Sequence, residues 1–144
     1  MELDLIPLSN RSDIKSTYGI YRHCMYLPTE EKFSEEVDAF LGNDSVKVFA
    51  CLYRNETKGV MAISFTEPHK AEIIGIAVEE TLRGKGIASY MIRQLAEQYG
   101  LLSVYAETDG DAVDFYRKNG FCITEFSETY DAETVVCYQC KLLK

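Results

Sequence analysis

Ile76-Ala77-Val78-Glu79-Glu80-Thr81-Leu82-Arg83-Gly84-Lys85-Gly86-Ile87-Ala88 is the stretch that decides how this chain folds. An apolar run ends at Val78, a charged loop follows, and two glycines lead directly into residues 86–99. There Ile87, Met91 and Leu95 recur at four-residue spacing, Ile92 and Tyr99 widen the stripe, and Gly100 can cap the end. The pattern is a covered strand, a turn and an amphipathic helix. Glycines permit a tight turn and let a ligand reach the backbone. The first N–H groups of the helix have no partner within it and lie at its positive end, so they form an anion site. Arg83 and Lys85 add two cations, and a pyrophosphate is a suitable guest. The turn is not a P-loop, because Lys85 precedes Gly86 and no Ser or Thr follows it, and it lacks the third glycine of G-x-G-x-x-G. Taken alone, it supports a plain helix start and an anion site about equally.

Upstream of the turn, residues 71–78 are apolar along nearly their whole length after Glu72, as expected of a central strand covered on both faces. Residues 46–53 and 59–65 flank the polar Arg54-Asn55-Glu56-Thr57-Lys58 turn, which reads as a hairpin. Residues 3–8 form a short first strand. Ser12 or Asp13 is positioned to cap a first helix carrying Ile14, Tyr18, Tyr21 and Met25, which Pro28 breaks. Thr29 opens a second helix with Phe33, Val37, Phe40 and Leu41 on one face and Gly42 at its end. Downstream, residues 101–106 form a strand, and Thr108 or Asp109 caps a helix that Asn119-Gly120 ends. Strands at about 121–126 and 134–142 finish the chain. The order is β-α-α-β-β-β-α-β-α-β-β, an α/β protein with a central mixed sheet flanked by helices, in one domain spanning residues 1–144.

Composition limits the function. The chain has 144 residues, 47% hydrophobic and 26% charged, which is the balance of a globular domain. No apolar run approaches the roughly 18 residues of a membrane span, and the acidic start Met1-Glu2-Leu3-Asp4 lacks the basic opening of a secretory signal. A cytoplasmic location and no membrane partner are the expectation. A formal net charge of −8 disfavours nucleic acid as a partner. The local positive turn coexists with it, because charges beyond about 8–10 Å are largely screened. Five cysteines at irregular spacing argue against a disulfide framework. Cys137 and Cys140 lie three apart on a strand, on opposite faces, and no second Cys/His pair completes a site, so no metal is expected.

A second motif changes the weight of the first. Ala112-Val113-Asp114-Phe115-Tyr116-Arg117-Lys118-Asn119-Gly120-Phe121 follows a strand and opens a helix. Together the two segments resemble the GNAT superfamily of acyl-CoA-dependent N-acyltransferases. Arg83, Gly86 and Ala88 match its Q/R-x-x-G-x-G/A signature, and the second segment matches A-x-x-F/L-Y-x-x-x-G-F. The predicted element order agrees over nearly the whole chain and is least alike between Ser9 and Asp44. Asp109 stands where such proteins often carry Asn, which puts an amide contact to the cofactor there in question.

The resemblance implies acetyl-CoA as co-substrate and a GNAT-like fold in which the strand at 71–78 bears a bulge and splays from the strand at 101–106. The pantetheine arm would pair with backbone around Ile76, Ala77 and Val78, with the Val78 N–H as donor to the thioester oxygen. The pyrophosphate would lie over Arg83, Gly84, Lys85, Gly86, Ile87 and Ala88, with Ser89 adding a hydroxyl and Asp109 and Phe115 completing the cofactor site. Tyr116 would be the acid, since a phenol of pKa ~10 can protonate a departing thiolate of pKa near ~8.5. From spacing alone, Tyr116 reads as a core aromatic paired with Phe115, and it is the resemblance that assigns it the acid role.

An alkylamine acceptor of pKa ~10.4 is neutral in only about one part in 2,500 at pH 7, a cost near ~4.6 kcal/mol, so a base or water chain is needed. Glu72 shares strand parity with Ile74, Ile76 and Val78 and is the candidate base; the simpler reading is an exposed residue at a strand start. His69 and His23 read as turn and packing residues. Glu30, Glu31, Glu35, Glu128, Asp131 and Glu133, with Tyr21, Tyr26 and Tyr130, fall in the regions expected to build the acceptor pocket and suggest a cationic amine, although a solvated acidic face explains them as well. The expected activity is transfer of an acetyl group to a primary amine of a small molecule. A protein or peptide amine, or a non-catalytic acyl-CoA-binding module, are the alternatives, and a homodimer is compatible with the sequence.

Overall fold

A computed structural model describes residues 2–108, 112–130 and 133–143, with the side chains of residues 130, 133–137 and 143 outside that description. Seven strands form one sheet in the order β1-β2-β3-β4-β5-β7-β6. They are β1 (Leu3–Leu8), β2 (Val46–Tyr53), β3 (Glu56–Glu67), β4 (Lys70–Val78), β5 (Ser103–Thr108), β6 (Cys122–Tyr130) and β7 (Glu133–Leu143). Every neighbouring pair is antiparallel except β4 and β5. Among the described residues five α-helices flank it: α1 (Arg11–Lys15), α2 (Tyr18–Tyr21), α3 (Glu30–Leu41), α4 (Ile87–Tyr99) and α5 (Val113–Lys118).

The two faces have separate cores. Met91, Ile92 and Leu95 of α4 and Val113 and Tyr116 of α5 pack with Phe49, Met61, Ile63, Ile73 and Val104. On the opposite face, Phe33, Val37 and Phe40 of α3 join Ile14, Tyr21, Val48, Val60 and Ala62. Strand alternation sorts these residues: Val60 and Ala62 face one core and Met61 and Ile63 the other. Pro7 sits on β1, an edge strand, where the missing N–H costs no ladder bond.

The structure moves several expected boundaries. Asn10, not Ser12 or Asp13, caps α1, its side chain accepting from the Asp13 N–H at 2.8 Å. The single first helix is interrupted at Ser16 and Thr17, whose hydroxyls each donate at 2.6 Å to a carbonyl three residues back. That competition with the helix ladder leaves two short pieces and a 3-10 turn over Arg22–Cys24. The β2–β3 loop is only Arg54-Asn55, both at positive φ (54° and 63°), the two-residue turn suited to a twisted hairpin. Thr108 ends β5 instead of capping α5, whose first flank, Ala112, makes no side-chain cap bond. Thr29 and Gly42 do bound α3 as expected, with Thr29 accepting from the Lys32 N–H at 3.1 Å.

Candidate active site

The site begins with a bulge. Ala62 pairs with Gly75 and Ile63 with Ile73, so Ile74 is an extra residue on β4. A bulge reverses side-chain parity beyond it. Ala71 and Ile73 face the α4 core, and after Ile74 it is Ile76 and Val78 that face it, while Ala77 belongs to the α3 core. The expected shared parity of Glu72 with Ile76 and Val78 is therefore broken: Glu72 lies on the α3 side of the sheet. Gly75, on that side, makes room for Tyr21, since a Cβ there would lie 2.3 Å from its hydroxyl.

The bulge coincides with a parting of strands. β4 and β5 pair from Lys70–Ser103 to Ile73–Ala106 and no further. The Glu79 N–H donates to Lys58 O at 2.8 Å, so odd-numbered residues of this part of β4 direct their peptide groups to β3. Ile76 and Val78 direct theirs the other way, into the gap that β5 has left. Arg83 Nε donates to the Val78 carbonyl at 3.3 Å and draws the loop back over the strand end.

A cavity of about 1010 Å³ occupies the gap. On one side it is lined by the turn into α4, from Arg83 to Ser89 except Lys85, and by Phe115, Tyr116, Lys118 and Asn119 of α5 and its end. Gly84 and Gly86 have φ of 78° and 86°, and a Cβ on either would meet nothing within 4 Å. Their requirement is conformational, and their backbone faces open space. Lys85 is exposed outside the lining, whereas Lys118, one turn along α5, supplies a second lining cation beside Arg83. Ile87 is buried in the core, leaving only its backbone for a ligand. Ser89 donates its hydroxyl to Asn119 Oδ1, and Asn119 Nδ2 donates to Phe115 O at 2.8 Å. The Ser89 hydroxyl, expected at a phosphate, thus ties α4 to α5. Asp109 lies outside the described residues.

Tyr116 is 6% exposed, stacked edge-on between Phe115 and Phe121 at 5.1 Å from each, and it also lines the cavity. Burial, with Cys140 and Cys24 adding to it, raises the phenol above its ordinary range, so it stays protonated at neutral pH. Its ring is thus part of the core, as the spacing suggested, and its side chain also reaches the cleft.

The far side of the cavity is built by His23, Cys24, Met25, Tyr26 and Leu27, by Ile74, and by Glu107 and Thr108 of β5. Burial pushes the Cys24 thiol up to about 12, Glu36 adds to the rise, and the Tyr21 side chain and Ile76 backbone oppose it, so the thiol is un-ionised. Glu72 pairs in register with Tyr105, which donates a hydrogen bond to Glu107. Burial raises the Glu72 carboxyl, and the charge of Glu107 adds to that. Glu72 itself is not among the lining residues. Glu36 Oε2 is buried without a hydrogen-bond partner, and burial raises that carboxyl too.

Of the acidic residues expected around the acceptor, Glu30, Glu31 and Glu35 are exposed on α3 and Glu128 is on β6, all away from the lining. Asp131 and the side chains of Tyr130 and Glu133 lie outside the described residues. Tyr26 lines the cavity and Tyr21 is buried behind it. His69 is structural, its Nδ1 lying 3.0 Å from the Gly100 carbonyl at the end of α4. Among the described residues no three His, Cys, Asp or Glu side chains are grouped to hold a metal ion, and no helix is long and apolar enough to cross a membrane. The lining residues that sequence reading passed over as site residues, His23, Cys24, Met25, Leu27, Glu107 and Lys118, come from segments far apart in the chain or from unmarked positions within a motif.

A splayed mixed sheet, peptide groups of Ile76 and Val78 turned toward the gap, and a glycine turn onto a helix form a cleft of the kind an acyl-CoA requires. The open space over Gly84 and Gly86, with Arg83 and Lys118 lining it, fits the phosphates of that molecule. The family model described as the acetyltransferase (GNAT) family matches residues 14–121, and the chain belongs to that family. It is an acetyltransferase with acetyl-CoA as co-substrate. A GNAT family acetyltransferase from Elizabethkingia anophelis, solved with acetyl-CoA bound, superposes with a TM-score of 0.72 at 18% identity, covering 99% of this chain and 98% of that one. A chimeric spermidine N-acetyltransferase from Vibrio cholerae gives 0.75 at 17%, covering 99% and 96%. The ribosomal-protein-S18-alanine N-acetyltransferase from Escherichia coli gives 0.71 at 14%, covering 99% and 94%. Comparison with curated protein sequences finds no match.

Proposed function

We propose that the protein transfers the acetyl group of acetyl-CoA directly to a primary amine of a small molecule that enters as its ammonium form. The observation that carries this reading is that one cavity runs through the parted sheet, lined by Arg83, Gly86 and Tyr116 on one side and by Glu107 and Tyr26 on the other. Donor and compact acceptor then share one open cleft, and holding two reactants together is itself a large part of catalysis.

Arg83, Lys118 and the amides from Gly84 to Ala88 hold the phosphates, and Ile76 and Val78 offer N–H groups to the pantetheine and the thioester oxygen. Glu72 is the base. Its raised carboxyl lies nearer in pKa to an ammonium than an ordinary one, and it stands in register with Tyr105, whose hydroxyl bonds Glu107 of the lining, so that a water chain past Glu107 would carry the proton. Glu72 takes one proton from the ammonium, the freed nitrogen attacks the thioester carbonyl, and as the C–S bond of the tetrahedral intermediate breaks Tyr116 gives its proton to the sulfur and is reprotonated by the second proton leaving the nitrogen. The test is thiol release from acetyl-CoA over a set of small primary amines and short peptides, with products identified by mass. Acetylated small amines support the reading, and acetylation confined to peptides contradicts it.

A further inference from the structure

The acceptor side of the cavity carries an unusual surface. Among the described residues, six large hydrophobic side chains are exposed, and three of them, Tyr26 (86%), Leu27 (64%) and Ile74 (43%), line this one cavity. Apolar side chains gathered at a concave site mark a place where apolar ligand surface is taken from water.

Two backbone irregularities put them there. Leu27 has φ of 45°, a left-handed conformation rarely adopted by a γ-branched residue, and it precedes Pro28, which restricts it further. Lys32 Nζ, donating to the Leu27 carbonyl at 3.0 Å, fastens the kink. Ile74 is the bulge residue, exposed only because the bulge leaves it out of register. Strain held at a cleft by a cross-link of this kind is a reason to look for function there. Among the described residues the carboxylate in the lining is Glu107, while Glu72 of β4 and Glu30, Glu31 and Glu35 of α3 are outside it.

We infer that the acceptor is a monoamine carried on an aryl or branched-alkyl body, with Tyr26, Leu27 and Ile74 selecting that body and Glu107 receiving its single ammonium. The inference rests on the small-amine reading above and deepens it. A diamine or polyamine would leave its second ammonium against Tyr26, Leu27 and Ile74, where losing water is costly and where, among the described residues, the lining offers no carboxylate besides Glu107. An arylalkylamine instead buries its ring on the same three side chains.

The test compares kcat/KM for 2-phenylethylamine and 1,4-diaminobutane in wild type, in Tyr26→Ala/Leu27→Gly and in Ile74→Ala. Leu27→Gly suits the left-handed backbone, and Tyr26 is almost fully exposed, so folding is not at risk. Wild type is expected to prefer phenylethylamine by about tenfold or more, a discrimination typical of an apolar pocket. The variants should bring that ratio toward one through the KM for phenylethylamine, with the KM for acetyl-CoA unchanged. Preference for diaminobutane, or an equal loss on both amines in the variants, overturns the inference while leaving small-amine acetylation standing. Saturable acetyl-CoA binding with no turnover of either amine overturns the small-amine reading and the inference with it.

Discussion

The phenol of Tyr116 serves two purposes that a sequence motif cannot separate. Its ring completes the α5 core between Phe115 and Phe121, and its side chain borders the cleft. Tyr116→Phe keeps the ring, so acetyl-CoA affinity and thermal stability should stay near wild type. Turnover should fall about 10²-fold, the scale of a lost general acid, which steady-state kinetics with calorimetric binding would establish. Unchanged turnover would remove Tyr116 as the acid. Glu36 makes a second residue-level prediction. Burial raises its carboxyl in the folded chain, so the folded state holds that proton more tightly than the unfolded state does. Its contribution is complete below the ordinary carboxyl value of ~4.3 and is lost as pH rises through the raised one. Glu36→Gln escapes that loss and gives the buried oxygen no charge to desolvate. It should melt roughly 1–3 °C higher at pH 7.5 and match wild type near pH 4 in thermal melts.

At the scale of elements, the site depends on where β4 and β5 part and how the loop returns to α4. Gly86 flanks α4 at φ 86°, a conformation any other residue enters at a cost of about 1–2 kcal/mol. Gly86→Ala should lower the melting temperature by a few degrees, roughly 2–8 °C, and raise the KM for acetyl-CoA more than it lowers kcat. A rise in amine KM alone would contradict the assignment of this turn to the donor. The turn, α4 and the caps of α3 were legible in the sequence because Gly84, Gly86, Thr29 and Gly42 mark local backbone conformations. The bulge at Ile74 was not. Every residue from Ile73 to Val78 is apolar or Gly, so no alternation exists to reveal a skipped register, and the parity assigned to Glu72 was misjudged. The break at Ser16 and Thr17 escaped for a related reason: both helix fragments keep apolar residues at helical spacing, and only the hydroxyl bonds separate them.

At the scale of the whole molecule, the side of the cleft proposed for the donor is local in sequence and the side proposed for the acceptor is not. Arg83 to Ser89 and Phe115 to Asn119 announce themselves as motifs. His23 to Leu27 reach the same cavity only because α2 and α3 pack across β3 and β4, and Glu107 only because β5 lies beside β4. Acidic residues near one another in the chain, such as Glu30, Glu31 and Glu35, proved to be surface. Since the two halves meet at one gap, filling the donor half should brace the sheet as a whole. Acetyl-CoA at 100 times its Kd should add about 2.7 kcal/mol of stability, visible as a melting temperature roughly 5–10 °C higher. The central claim, transfer to an amine at this gap, is tested most directly by following thiol release from acetyl-CoA as a small primary amine is titrated. Release that saturates in both substrates, with the N-acetylated amine as product, is the predicted result. Saturable acetyl-CoA binding whose thiol release is indifferent to every amine added would contradict it.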